Sequence, residues 1–186
     1  MIDARDEAAS AALHEQLLRL LESVNGWLQF AETKNTTGLT LGSAALAVLA
    51  QFMTGYSTVW SDWAAVGLGA SIVLLIGSVA AATASFLPRT AIERQRTIRP
   101  PSTGDNLLFY GHLAEYDHRE LLRAIADRYL GRPNAQPDRF ADDLALQIVA
   151  NASITVRKLR LFRWSVLLFA LGTVIGLISA AIGRQR

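Results

Sequence analysis

The stretch Trp164–Ile182, WSVLLFALGTVIGLISAAI, runs for 19 residues without a charged side chain. A hydrocarbon core of about 30 Å requires roughly 20 apolar residues of helix. Each backbone amide in lipid must be hydrogen-bonded within its own segment, which a helix achieves. A helix of a soluble protein would show a polar face over this length. The stretch therefore predicts a transmembrane helix.

Two further apolar runs precede this stretch, Leu39–Tyr56 and Ala64–Leu87, and each has about the length of a span. The first run is diluted by four polar side chains, Thr40, Ser43, Gln51 and Thr54. The alternative for the first run is that it belongs to a buried hairpin in the core of a soluble all-helical domain. We predict an all-α membrane protein with three transmembrane helices, an N-terminal amphipathic helix and a small helical cytoplasmic domain between spans two and three.

Composition agrees with a membrane class and excludes several kinds of site. Of the 186 residues, 51% are hydrophobic and 18% are charged, so a water-facing portion accompanies the spans. The chain has no Cys, which excludes disulfides, thiolate nucleophiles and Cys-based zinc sites. The net charge of +2 is too small to indicate a nucleic-acid partner. The composition therefore predicts that the protein contacts the lipid bilayer.

The N-terminal segment has an apolar stripe at helical spacing, formed by Leu13, Leu17, Leu20, Leu21, Val24 and Leu28. Its mixed charges favour packing against protein over adsorption to lipid. The predicted segments are a cytoplasmic amphipathic helix at 1–34, transmembrane helices at 36–56, 64–87 and 164–183, and a cytoplasmic helical sensor region at 88–163.

The basic residues predict the orientation, because Lys and Arg near span ends are retained in the cytoplasm. Nine of them flank the spans on one side: Lys34, Arg89, Arg94, Arg96, Arg99, Arg157, Lys158, Arg160 and Arg163. The loop at 55–63 carries only Asp62, and Arg184 and Arg186 alone oppose the rule. Aromatic side chains suited to the interfaces are Tyr56, Trp60, Trp63 and Trp164. We predict a multi-pass membrane protein with a cytoplasmic N-terminus.

The segment after the second span begins irregularly and then becomes apolar at Asn106–Ala114, NLLFYGHLA, which is too short to span and must be buried. Asp117, with Glu120 three residues later, predicts a helix start lined by Leu121, Leu122, Ile125, Ala126 and Tyr129. Gly131, Pro133 and Pro137 end that helix. The next helix carries Phe140, Leu144, Ile148 and Ala152. No Gly or Pro follows between Asp138 and Gly172, which predicts one long helix entering the membrane.

Four stretches carry a resemblance to a known family. They are Asn106–His112 (NLLFYGH), Phe140–Ile148 with its paired aspartates and Gln147, Arg157–Trp164 (RKLRLFRW) and, more weakly, Phe30–Lys34 (FAETK). With these, the chain resembles the transmembrane effectors of Pycsar, the bacterial pyrimidine-cyclase antiphage systems. The resemblance covers roughly residues 26–183, and NLLFYGH is its most specific part.

The resemblance implies a two-gene system in which a neighbouring cyclase makes cyclic CMP or cyclic UMP on phage infection. The effector senses that cyclic nucleotide and impairs the inner membrane, so that the cell dies in an abortive infection. We therefore expect the cyclic pyrimidine nucleotide as an activating ligand, no cofactor, and a homo-oligomer. Motion of the long helix that enters the third span would carry the signal. The alternative is a non-enzymatic membrane scaffold or accessory subunit that anchors a partner.

The chemistry of the ligand selects candidate residues, because the chain shows no recognisable β-roll nucleotide domain. A cyclic pyrimidine nucleotide presents one phosphate charge, a flat base and a ribose hydroxyl, which suit Arg, aromatic and amide groups. The candidates are Asn106, Phe109, Tyr110 and His112, together with Arg119 or Arg123. The alternative is that Phe109 and Tyr110 are core anchors that fold this block against the long third-span helix.

Catalytic and metal sites are not predicted. His112, Glu115, Asp117, His118 and Glu120 lack a recurring ligand spacing, and no nucleophile elbow or Gly-rich phosphate loop is present. No His, Asp or Glu lies within a span, so an intramembrane enzyme lacks its parts. Two glycine pairs, Gly38/Gly42 and Gly172/Gly176, have the spacing that lets helices approach closely. Their spacing leaves open whether they pack within one chain or between chains.

Overall fold

The computed structural model describes residues 4–55, 61–87, 102, 104–131 and 137–183. This part of the chain is helical and has no strand. Its helices are α1 (Ala4–Gly55), α2 (Asp62–Ala84), α3 (Tyr110–Leu113), α4 (His118–Leu130) and α5 (Arg139–Ile182). Three of them, α1, α2 and α5, are long and apolar enough to cross a membrane. The predicted all-α fold with three spans is confirmed, whereas the cytoplasmic placement of the segment between spans two and three stays a prediction.

Two of the helices are much longer than a span requires. α1 has 52 residues and α5 has 44, and the predicted long helix is confirmed because α5 is unbroken from Arg139 to Ile182. Some predicted positions lie outside the described residues, namely Tyr56, Trp60, Arg89, Arg94, Arg96, Arg99, Pro133, Arg184 and Arg186.

The chain divides into two compact units. The first, here called the leucine-core unit, comprises Met1–Phe30 and Arg89–Arg157. The second, here called the span unit, comprises Ala31–Pro88 and Lys158–Arg186. Both α1 and α5 therefore contribute residues to each unit.

Large aliphatic side chains hold the leucine-core unit together. Its buried members are Leu13, Leu17, Leu20, Val24, Leu107, Leu113, Tyr116, Leu121, Leu122, Ile125, Ala141, Leu144, Ala145, Ile148, Val149 and Ala152. Fully burying one leucine side chain stabilises a fold by about 1.5–3 kcal/mol. The apolar stripe of the N-terminal helix thus packs against protein, as its mixed charges predicted. Two predicted core positions are instead exposed, Tyr129 by 50% and Phe140 by 51%.

The ends of α4 follow the predicted signals. Asp117 caps the N-terminus, and its side chain accepts a hydrogen bond from the Arg119 N–H at 2.9 Å. The bond goes to the second helical residue and not to Glu120, so the Asp117 side chain does not make the capping-box bond. Gly131 ends α4 with a φ of 62°, a left-handed conformation that glycine adopts without strain.

Two histidines join the start of α5 to its neighbours. His14 of α1 lies 3.0 Å from a carboxylate oxygen of Asp138, and His118 of α4 lies 3.4 Å from Asp142. Asp138 also caps α5, because it accepts the Ala141 N–H at 2.9 Å. The Ala141 N–H and the His14 side chain both bond the carboxylate, which lowers the pKa of Asp138 below its ordinary value of 3.8.

Small side chains form most of the buried face of α2 in the span unit. The buried face of α2 repeats at alternating spacings of four and three residues: Ala64, Leu68, Ser71, Leu75, Ser78 and Ala82. Ser71 Oγ donates to the Gly172 carbonyl of α5 at 2.7 Å, and Ser78 Oγ donates to the Ser165 carbonyl at 2.9 Å. Side chains this small let two helix backbones approach closely enough for such bonds.

The predicted glycine pairs take part in this packing. A Cβ on Gly176 would lie 2.7 Å from Ser71 Oγ, and one on Gly172 would lie 3.1 Å from a carbon of Leu75. A Cβ on Gly42 would come within 3.0 Å of Val79, and Gly38 faces Phe162 and Ser165. All four glycines therefore serve contacts within one chain, and the expected homo-oligomer stays a prediction.

A polar layer lies within the span unit where α1 and α5 begin their apolar parts. Lys158 Nζ pairs with Glu32 Oε1 at 3.1 Å and lies 5.6 Å from the centre of the Phe86 ring. Asn35 is fully buried, and its side-chain N–H groups donate to the carbonyls of Ala31 at 2.8 Å and Lys158 at 3.2 Å. These contacts join α1 to α5 through charge and amide groups.

Candidate functional site

The NLLFYGH block at 106–112 is fixed to the leucine-core unit by its aliphatic side chains. Leu107 is 1% exposed, and Leu113, just after the block, is fully buried. Both belong to the core, as does Tyr116. The residues between Leu107 and Leu113 are consequently held at the surface of a packed core, and four of the six predicted site residues belong to this block.

Hydrogen bonds within the block fold it into a tight turn. Asn106 Oδ1 accepts the Leu108 N–H at 2.9 Å, and the Asn106 carbonyl accepts the Phe109 N–H at 3.1 Å. The Asn106 N–H donates to His112 Nδ1 at 2.9 Å. That bond requires an unprotonated Nδ1, so the neutral ring carries its hydrogen on Nε2. The His112 Nε2–H and the Asn106 amide N–H groups are thus the donors available to a ligand.

A second set of polar groups anchors the start of the block. The Asp105 carboxylate accepts the Tyr116 hydroxyl at 3.0 Å and the Ser102 N–H at 2.9 Å. Arg128 of α4 donates to the Asp105 carbonyl at 2.8 Å and also to the Ser102 carbonyl. Sequence reasoning missed these residues, because Asp105 and Arg128 are 23 positions apart and no spacing signal links them. The Arg128 guanidinium positions the block.

Aromatic rings form a row on the leucine-core unit. The ring centres of Trp27 and Tyr110 are 5.4 Å apart, those of Tyr110 and Phe109 4.6 Å, and those of Phe109 and His112 5.4 Å. Trp27 is 39% exposed and Phe109 is 40% exposed. A Cβ at Gly111 would overlap the Phe109 ring, so glycine is required for this ring position. We call Trp27, Tyr110, Phe109 and His112 the aromatic row.

Phe109 and Tyr110 were predicted either to contact the ligand or to anchor the block in the core, and the structure answers this differently for the two residues. Phe109 is too exposed to be a core anchor, while Tyr110 packs at the edge of the core and against Trp27 of α1. The anchors of the block are Leu107 and Leu113. Asn106, Phe109, Tyr110 and His112 are therefore brought together, and the exposed rings of the aromatic row are those of Phe109 and Trp27.

The two predicted arginines lie elsewhere on α4. Arg119 and Arg123 are exposed and one helical turn apart, at the edge of the buried face of α4 that is formed by Leu121, Leu122, Ile125 and Ala126. Within the described part of the chain, neither arginine side chain makes a hydrogen bond, ion pair or ring contact with the aromatic row. A phosphate role for them stays a prediction without geometric support.

Sequence reasoning also missed Trp27 and its neighbour Phe30, whose ring centres are 6.0 Å apart. A signal existed, because Trp27 is the one tryptophan that lies away from a span boundary; the others are Trp60, Trp63 and Trp164. Trp27 brings α1 to the site, which the local NLLFYGH pattern does not indicate.

The arrangement is suited to binding a flat, polar molecule. Exposed aromatic rings stack on bases, and the nearby amide and imidazole N–H groups donate hydrogen bonds to carbonyl or phosphate oxygens. Across the described residues, no group of three or more His, Asp or Glu side chains is placed to hold a metal ion.

Comparison with known proteins gives the family. A family model for the Pycsar effector protein domain matches residues 16–183. No curated protein and no solved structure matches the chain. The matched range includes the NLLFYGH block, the aromatic row and the apolar parts of all three span-length helices. The chain therefore belongs to the Pycsar effector family, and its three helices make it a membrane protein of that family.

Proposed function

We propose that this protein is the membrane-impairing effector of a Pycsar antiphage system. A cyclic pyrimidine nucleotide, cyclic UMP or cyclic CMP from a neighbouring cyclase, activates it, and the impaired inner membrane leads to cell death and abortive infection. The protein acts without catalysis, with a cytoplasmic N-terminus. The observation that carries this proposal is the family match across both the span helices and the NLLFYGH block.

The aromatic row supports a ligand site in the leucine-core unit. Phe109 and Trp27 offer exposed ring faces to a pyrimidine base, and the Asn106 amide with the His112 Nε2–H offers donors to its carbonyl groups. Stacking of one base on an aromatic side chain contributes about 1–3 kcal/mol. The row is thus the place where we expect the nucleotide to bind.

Helix continuity supports a mechanical link from ligand to bilayer. α1 carries Trp27 of the aromatic row, and α5 carries core residues such as Ile148; both helices continue unbroken into their apolar parts. A ligand shifts such a protein only through its different affinities for two states. We propose that the activated state differs in the placement of these two helices.

The test is leakage of ions or dye from liposomes that contain the full-length protein. Cyclic CMP, cyclic UMP, cyclic AMP and cyclic GMP are added separately, and we expect leakage with one pyrimidine nucleotide. Silence with all four, in protein shown to be folded by circular dichroism, would instead favour the membrane scaffold.

Two matched variants then locate the ligand site. Phe109→Leu removes a ring from the aromatic row, while Phe140→Leu removes a comparably exposed ring of α5 that contacts only His14 among the described rings. We expect the half-activating nucleotide concentration to rise about tenfold for Phe109→Leu, corresponding to one lost stack, and to stay unchanged for Phe140→Leu. Equal responses of the two variants would remove the aromatic row from the proposal.

A further inference from the structure

The polar residues that dilute the first span all lie on one face of α1. Thr36, Thr40, Ser43, Ala47, Gln51 and Thr54 follow each other at spacings of three or four residues. At 100° per residue, these positions fall within an arc of about 80°. We call this set the polar stripe. Each of its members is exposed in the structure.

The stripe is as long as a bilayer is thick. From Thr36 to Thr54 the helix rises about 27 Å, close to the hydrocarbon thickness of about 30 Å. Leu41 and Val48, which are 52% and 67% exposed, flank the stripe on one side and are suited to lipid. The stripe therefore runs from one end of the span to the other, with the small Ala47 as its one apolar member.

The outward faces of the other two span helices differ. Exposed positions of α2 between its ends are Ala65, Val66, Gly69, Ala70, Val73, Ile76 and Ala80, with Thr83 near the C-terminus. Exposed positions of the apolar part of α5 are Trp164, Val166, Leu167, Ala170, Leu171, Val174, Leu177, Ile178, Ala181 and Ile182. Both faces are suited to lipid throughout. The polar stripe has no counterpart on them.

The side chains of the stripe are only partly satisfied by their own helix. The hydroxyls of Thr36, Thr40 and Thr54 each donate to the carbonyl four residues earlier at 3.0 Å. Ser43 and Gln51 make no side-chain hydrogen bond with any described residue. An amide in lipid without partners is costly, and polar groups within spans face other helices or water. Lipid is thus a poor environment for this face of α1.

The opposite face of α1 is already occupied. Gly42 lies against Val79 of α2, and Gly38 lies against Phe162 and Ser165 of α5. The contacts within the span unit therefore do not use the polar stripe. A three-helix chain cannot enclose water by itself, so covering the stripe requires α1 helices from further copies.

We propose that the polar stripe is the surface through which copies of this chain assemble around a water-filled path. Hydroxyl groups both donate and accept, and one amide side chain per copy does the same, so the stripe is self-complementary and hydrates readily. Apolar faces of α2 and α5 would then remain in contact with lipid. The water-path part of this inference rests on the proposed membrane-impairing function; the contact between copies does not.

The absence of cysteine in the chain permits a direct test. Ser43→Cys places a single thiol in the stripe, while Val73→Cys and Val174→Cys place one on the outward faces of α2 and α5. The full-length variants in liposomes are oxidised with and without cyclic UMP or cyclic CMP. We expect disulfide-linked dimers for Ser43→Cys and at least fivefold less for the other two. Equal or weaker cross-linking of Ser43→Cys in every condition would overturn the assembly.

A water-soluble thiol reagent tests the water path in the same three variants. Only a thiolate reacts readily, and thiolates form in water and not in lipid. We expect the reagent to modify Ser43→Cys in the nucleotide-activated protein and to reduce its leakage by more than half. If Ser43→Cys cross-links but the reagent neither modifies it nor changes leakage, the stripe is an interface without a water path and that part of the proposal is wrong.

A matched set of Ala→Leu variants gives an independent measurement. Ala47 of the stripe, Ala70 of α2 and Ala170 of α5 are all exposed. We expect Ala47→Leu to reduce nucleotide-triggered leakage at least tenfold, with no change for Ala70→Leu or Ala170→Leu. Loss in all three variants, or in none, would overturn the role of the stripe. Failure of the wild-type chain to leak would overturn the proposed function instead, and the cross-linking result would still stand on its own.

Discussion

The two units of this protein bury different kinds of side chain. The leucine-core unit buries large aliphatic residues, among them Leu17, Leu121 and Ile148, each at most 1% exposed. The span unit buries Ser71, Ser78 and Ser165 beside glycines, together with Leu68 and Leu75, while many of its large apolar side chains, such as Ile178 at 53% exposure, face outward. The interior of the span unit therefore contains more small and polar side chains than the interior of the leucine-core unit.

The difference follows from the solvent that each unit is built for. Water drives large apolar side chains inward, and the leucine-core unit obeys that force. Lipid is as apolar as leucine, so helices within it associate through close packing and through hydrogen bonds between polar groups. Ser71 and Ser78 make such bonds to carbonyls of α5. The buried serines and the exposed apolar side chains of the span unit thus agree with its span-length apolar helices.

The largest effect is expected from adding a bulky side chain inside the span unit. Gly176→Leu places its Cβ 2.7 Å from Ser71 Oγ, so α2 and α5 must separate. We expect a loss of about 3 kcal/mol or more in the free energy of unfolding, measured by SDS titration in detergent micelles with circular dichroism. The control is Gly69→Leu, where a Cβ meets no atom within 4 Å. If both variants unfold at the same SDS concentration, the small-residue contact is not what holds these helices.

An intermediate effect is expected from a cavity in the leucine-core unit. Leu17→Ala removes a fully buried side chain, and such changes cost about 2–5 kcal/mol. The neighbouring Leu18 is 48% exposed, so Leu18→Ala should change stability by less than about 0.5 kcal/mol. Hydrogen exchange of backbone amides at 106–130 in the full-length protein reports the difference. Comparable exchange rates in the two variants would contradict the assignment of this core.

The smallest effect is expected from a single hydroxyl in the span unit. Ser78→Ala removes a buried hydrogen bond to Ser165, and such bonds between membrane helices contribute about 0.6 kcal/mol on average and at most about 1.7. Thr83→Ala is the control, since its exposed hydroxyl bonds the Val79 carbonyl of its own helix. SDS titration should show a lower midpoint for Ser78→Ala only. A larger loss for Thr83→Ala would mean that hydroxyl bonds across helices do not stabilise this unit.

Much of the fold follows from local patterns. The charge-free stretch at 164–182 and the run at 64–87 predict spans on length alone, and the lack of Gly or Pro after Asp138 predicts the continuity of α5. The helix caps at Asp117 and Gly131 could be predicted from the sequence because capping depends on adjacent residues. The secondary structure of segments with a strong hydrophobic period or an unbroken apolar run can thus be predicted without tertiary information.

Only part of the candidate site could be predicted from the sequence. The density of aromatic and apolar residues at 106–112 made this block a candidate site from the sequence alone. Trp27 could not be assigned to the site in the same way, because it lies 82 positions before Phe109 in the chain. Arg119 and Arg123 were proposed by charge alone, and the fold places them at exposed positions of α4. Contacts between distant segments depend on how helices pack, which no local pattern specifies.

By itself, the sequence determined that this is an all-helical membrane protein with three spans, and it carries the NLLFYGH block on which the resemblance to the Pycsar effectors rests. Hydrophobic length and local capping act within a segment, so they are visible in the chain. Only the tertiary structure decided that Trp27 joins Tyr110 and that the glycine pairs pack within one chain. It also decided which face of α1 is left uncovered, because that depends on which sides of the helix α2 and α5 occupy. The polar residues of α1 lowered the hydrophobicity of the first span, and the tertiary structure shows that they lie on its uncovered face.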